Sequence, residues 1–87
     1  MTDTTHRVCV LISRELRADL DKVVPAARLE EDLKADHIDV SEIVMAVEDL
    51  FEITVTNERM EALRTVADVI ALVDQPTAAA PAMQKAA

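Results

Sequence analysis

His37-Ile-Asp-Val-Ser-Glu-Ile-Val-Met-Ala-Val-Glu-Asp-Leu-Phe51 is the stretch whose reading decides the fold. On a helical wheel, Val40, Ile43, Val44, Val47, Leu50 and Phe51 share one broad face, as in an amphipathic helix laid on a core. Asp36 precedes the run as its N-cap, and its charge suits the positive end of the helix dipole. The opposite face holds Met45, with Ile38 and Ser41 near it and Glu42, Glu48, Asp49 and Glu52 flanking. An apolar residue ringed by carboxylates is either a docking spot or an isolated exposed methionine, and the wheel alone leaves both open.

The pattern extends outward on both sides. Residues 4–20 read as a first helix, capped by Thr4 or Thr5, with Val8, Ile12, Leu16 and Leu20 on one stripe and Cys9 buried beside it. Residues 21–36 carry no sustained period, and Pro25 interrupts them. They read as a long connection pinned to the core by Val23, Val24, Leu29 and Leu33, and such length makes a loop a functional candidate. Residues 57–62 read as a short helix after a Thr56 cap. The last helix spans 66–74, with Thr65 as cap, Asp68 at the capping-box position, and Val66, Val69, Ile70 and Val73 facing inward. The expectation is an all-α, antiparallel four-helix bundle of three main helices and one short one, with a long loop after the first. Its domain spans 1–75; residues 76–87, rich in alanine and containing Pro76 and Pro81, are expected to be disordered.

Composition narrows the function. The chain has 87 residues, enough for one domain with one modest core. It contains no glycine, so tight turns with φ > 0 and Gly-rich phosphate loops are not expected. The formal net charge is −8. Residues 30–61 hold eleven Asp/Glu against Lys34 and Arg59, so the acidic excess sits in the middle of the chain. Such a surface disfavours nucleic acid and anionic lipid and steers basic protein patches toward it. Cys9 is the single cysteine, so no intramolecular disulfide can form. With neither a signal pattern nor a membrane-length apolar run, a cytoplasmic location is expected; the chain is also expected to be a monomer that does not engage a membrane.

Asp32-Leu-Lys-Ala-Asp-His-Ile-Asp39 resembles the acyl carrier protein signature, commonly Asp-Leu-Gly-Ala-Asp-Ser-Leu-Asp. Glu42-Ile-Val-Met-Ala-Val-Glu-Asp-Leu-Phe51 is similar to the family's Glu-Leu-Val-Met-Ala-Leu-Glu-Glu-Glu-Phe. Ile53-Thr-Val-Thr-Asn-Glu58 and Leu63-Arg-Thr-Val66 continue the register, ungapped from about Leu29 to Val73. The resemblance implies the family's helical fold. It also implies a carrier rather than an enzyme, working in fatty-acid, polyketide or related lipid synthesis. The family's second helix docks on basic patches of synthases, acyltransferases and the phosphopantetheinyl transferase. On this chain the resemblance assigns docking to Asp36, Asp39, Glu42, Met45, Glu48 and Asp49.

His37 occupies the place of the serine that carries 4′-phosphopantetheine in the family. The phosphodiester needs a hydroxyl oxygen and an imidazole offers nitrogen, so no cofactor is expected at His37. Ser41, one turn on, is the nearest hydroxyl but sits inside the helix without the Asp-Ser-Leu context. Lys34 stands in place of the family's loop glycine. The expectation is therefore an acidic docking module that is not loadable at His37. The alternative is a true acyl carrier protein whose attachment serine has been replaced by His37. A minor alternative is a catalytic or metal protein built on His37. Spacing excludes an EF-hand-like loop, and the region offers too few nitrogen or sulfur ligands for zinc, so no metal site is assigned.

Overall fold

The computed structural model describes residues 3–74. Helix α1 spans Asp3–Leu16 and is followed by a 3-10 turn at Leu20–Lys22. Helices α2 (His37–Phe51), α3 (Asn57–Glu61) and α4 (Val66–Asp74) complete the bundle. Helix α1 packs on α2 and α4, and α2 also contacts α3 and α4. The described residues contain no strand, only an isolated bridge between Arg28 and Thr65. The residues expected to form a disordered tail lie outside the described ones.

The core is aliphatic: Val8 and Ile12 from α1, Ile43, Val44 and Val47 from α2, and Val66, Val69 and Leu72 from α4. No polar or charged residue is buried among the described ones. Helix α2 has the bounds its pattern predicts, but Leu50 at its edge is exposed, while Val40 and Phe51 are half-buried. On α4, Leu72 joins the expected inward residues.

Helix α1 departs from expectation at both ends. It begins at Asp3, which places Thr4 and Thr5 inside its first turn rather than ahead of it. It stops at Leu16 because Arg17 turns left-handed, with φ 54°. Ala18 N–H then reaches back to the Ser13 carbonyl at 3.0 Å, while the Ser13 hydroxyl donates to the Ala18 carbonyl at 2.6 Å. This satisfies carbonyls at the helix end in the manner of a Schellman cap. Leu20 therefore falls beyond the stripe and is exposed.

Three non-glycine residues, Arg17, Lys34 and Glu52, have positive φ, contrary to what the absence of glycine suggests. Each left-handed L-residue costs roughly 1–2 kcal/mol, which neighbouring hydrogen bonds and packing offset. Lys34, at φ 60°, stands where the family's motif has glycine, so the backbone demand is retained although the glycine is absent.

The long connection is fastened at several points. Val23, Leu29 and Leu33 are buried as expected, whereas Val24 is exposed beside Pro25. Leu29 N–H donates to the Arg64 carbonyl, and Ala35 N–H to the Leu29 carbonyl. In return, the Ala27 and Pro25 carbonyls accept from Val66 and Ala67 N–H, two of the amides that α4 cannot satisfy within itself. The loop and the start of α4 thus hold each other, and the loop delivers the chain to the start of α2.

Candidate functional site

The start of α2 is built by two carboxylates. Asp36 Oδ1 accepts the Asp39 N–H at 2.8 Å, and Asp39 Oδ2 accepts the Asp36 N–H at 3.1 Å. This reciprocal capping box supplies partners for amides the helix would leave open. Asp36 was legible as a cap, but its reciprocal partner Asp39 was not singled out for that role. Both side chains are turned to the backbone, so each contributes charge rather than a free arm to any docking surface.

His37 is the first residue of α2 and is exposed. It lines a cleft of about 570 Å³ between the long connection, α2 and α3, together with Val40, Met60 and Leu63. No group of three or more His, Cys, Asp or Glu side chains able to hold a metal occurs among the described residues.

Ser41 does not offer an open hydroxyl. It is half-buried, and its Oγ donates to Met60 Sδ of α3 at 3.8 Å. It lies on the side of α2 that meets α3, not on the outer face where the wheel placed it near Met45. Between residues 36 and 44 it is the only hydroxyl-bearing residue.

The outer face of α2 carries Ile38, Glu42, Met45 and Asp49 at successive spacings of four, three and four, which form one stripe. All four are exposed, with Ile38 at 66% and Met45 at 65%. Two large apolar side chains thus stand in water between carboxylates on this face. Around Met45 lies a shallow depression whose wall includes Glu15 and Ile53.

Glu48 differs from the exposed Glu42 and Asp49 on this helix. It is half-buried, and its Oε2 accepts the Val55 N–H at 2.8 Å. Glu52, left-handed at φ 56°, ends the helix, and Glu48 holds the chain that follows. Sequence reasoning missed this bond because its partner lies beyond a reversal of the chain that no glycine announces.

A second cluster also escaped the sequence. Asp32 Oδ2 accepts the Arg28 backbone N–H at 2.8 Å and its Nε–H at 3.3 Å, while Arg28 Nη1 lies 3.1 Å from Glu31. The Arg28 amide first, then its guanidinium, hold the Asp32 carboxyl below its ordinary range. The hydrogen bond that the Arg28 guanidinium donates to Asp32, with the charges of Asp32 and Glu31, holds Arg28 above its ordinary range in turn. Asp32 therefore shapes the turn leading to α2.

A small helical bundle with a long fastened loop and an acidic, partly apolar second helix defines a carrier-type domain. The family model described as a phosphopantetheine attachment site matches residues 6–73. An acyl carrier protein from Helicobacter hepaticus is 40% identical over 72 residues, covering 83% of this chain and 95% of that protein. An acyl carrier protein structure from Enterococcus faecalis superposes with a TM-score of 0.68 at 29% identity, covering 84% of this chain and 95% of that one. The chain belongs to the phosphopantetheine-attachment-site family of acyl carrier proteins. It is a carrier-type protein, not an enzyme. No helix among the described residues is long and apolar enough to cross a membrane.

Proposed function

We propose that this chain docks as an acyl carrier protein docks but does not carry a prosthetic arm at the start of α2. One observation carries the proposal: an exposed acidic and apolar stripe on α2 is joined at its head to an imidazole instead of a hydroxyl. The residues present do not fit 4′-phosphopantetheine. His37 lacks the oxygen that a phosphodiester requires, and the Ser41 hydroxyl is half-buried against Met60. No step through that group is therefore assigned to this chain.

Recognition falls to Glu42, Met45 and Asp49, with Ile38 extending the stripe toward His37. Asp36, Asp39 and Glu48 add charge while holding the backbone. The partners are enzymes with basic patches shaped for carriers: synthases, acyltransferases or a phosphopantetheinyl transferase in cytoplasmic lipid synthesis. Coulomb attraction across such an interface sets encounter rate and register, and salt screens it. The replacement at residue 37 comes with Lys34 in the left-handed loop position and Ser41 packed on Met60, which supports a diverged chain over a carrier altered at one residue.

The test is binding of the purified chain to an immobilised phosphopantetheinyl transferase or carrier-dependent synthase. Glu42→Lys should weaken binding several-fold with the fold intact, and added salt should weaken the unsubstituted chain likewise. Binding indifferent to both changes sinks the docking assignment.

A further inference from the structure

Helix α1 carries a surface of the opposite sign to α2. Arg7, Val10, Leu11 and Arg14 fall at i, i+3, i+4 and i+7, so they share one face with the two cations about 10.5 Å apart along the axis. Helix α2 carries Glu42, Met45, Ala46 and Asp49 at the same four spacings. One helix reads cation, apolar, apolar, cation; the other reads anion, apolar, apolar, anion. Arg7 and Arg14 are exposed and lie within 4 Å of no carboxylate among the described residues. Arg7 rests over the Phe51 ring at 5.0 Å, which orients its guanidinium but leaves its charge unneutralised.

The two surfaces are neighbours. The α1 set lines an open groove of about 670 Å³ between α1 and α2, with exposed Leu50 on the far wall. Glu15, Ala46 and Asp49 border both this groove and the depression around Met45. They form a shared ridge, and Glu15 adds its carboxylate to the acidic half. A single side of the molecule is thus basic and apolar on one half and acidic and apolar on the other.

We propose that this side pairs with the same side of a second copy of the chain. A two-fold axis sets α1 of each copy against α2 of the other, so both complementary pairings form at once. Met45 and Leu50, which the monomer leaves in water, are then covered. The net charge of −8 opposes the approach of two copies, so the pairing is weak and depends on concentration. At an ionic strength of about 0.15 M, charges more than about 8 Å apart are largely screened, and contacts between matched groups weigh more. The pairing stands independently of the docking role above, although it covers Glu42, Met45 and Asp49 and so competes with any partner enzyme.

The experiment is sedimentation equilibrium of the full chain over rising concentration, with circular dichroism as a check on folding. The weight-average mass should climb from the monomer value toward twice that value. Arg7→Glu with Arg14→Glu should hold the chain at monomer mass, and Glu42→Lys with Asp49→Lys should do the same. Mixing these two variants should restore association. A control variant, Glu58→Lys with Glu61→Lys, places the same added charge on α3, leaves both pairing surfaces intact, and should climb in mass as the unsubstituted chain does. A wild-type chain that stays monomeric over the whole concentration range overturns the proposal. Failure of the mixture to associate, or a control held at monomer mass like the two surface variants, overturns it too.

Discussion

Glu48 is the residue at which folding and recognition can be separated by chemistry. Its carboxylate accepts the Val55 N–H at 2.8 Å in a half-buried setting. A hydrogen bond to a charged group contributes about 1.5–3 kcal/mol, and partial solvent access places this one near 1–2 kcal/mol. Glu48→Ala removes the acceptor and leaves the Val55 amide without its partner. In a domain of this size the melting temperature should fall by roughly 4–15 °C. Alanine slightly favours the helix, so the observed loss understates the bond. Glu48→Gln retains a carbonyl acceptor without the charge; about half the strength should survive, giving a drop well short of that for alanine. Thermal unfolding followed at 222 nm checks the order wild type, Gln, Ala. If the Ala variant is as stable as the Gln variant, the clamp is not a stabilising contact. Binding to a carrier-recognising enzyme then reads the charge: Glu48→Gln and Glu42→Gln should weaken it to a similar degree, although only the former lowers stability.

Other expectations concern the backbone and the titrating groups. Lys34→Gly should remove a left-handed cost of about 1–2 kcal/mol and add about 0.5–1 kcal/mol of unfolded-chain entropy; the urea midpoint should rise slightly, and a fall would contradict the backbone assignment. The Asp32 carboxyl is held below its ordinary 3.8 by Arg28, so its stabilising contribution is present above that pH and fades as pH falls through the lowered value. Titration by carboxyl NMR should show this. In Arg28→Gln the value should rise only part of the way, because the backbone N–H remains. Burial of Cys9 pushes its thiol up, so a thiol reagent should label it slowly in the native protein and readily in urea.

The sequence foretold those parts of the fold that rest on local chemistry. Helix α2 was legible to the residue because Asp36 marks its start and its apolar stripe is unbroken. Thr56 and Thr65 announced α3 and α4 in the same way; their hydroxyls accept the Arg59 and Asp68 amides. The end of α1 was not legible. Arg17, Lys34 and Glu52 take the left-handed conformation that glycine would have signalled, and they are held there by surroundings no local pattern encodes. Leu50 sits on the margin of the wheel, where a small rotation of the packed helix decides between core and water. At the candidate site, the exposed Glu42, Met45 and Asp49 followed from periodicity. The inward turn of Ser41 and the Glu48 clamp did not, because Met60 and Val55 reach α2 only through the tertiary fold.

Intact-mass spectrometry after incubation with coenzyme A and a phosphopantetheinyl transferase tests the central claim most directly, with His37→Ser run beside the unsubstituted chain. The substituted chain should gain a single phosphopantetheine group, since the acidic face that presents the site is in place. The unsubstituted chain should come through with its mass unchanged. A covalent gain on the chain with His37 in place would contradict the claim that this protein docks without being loaded.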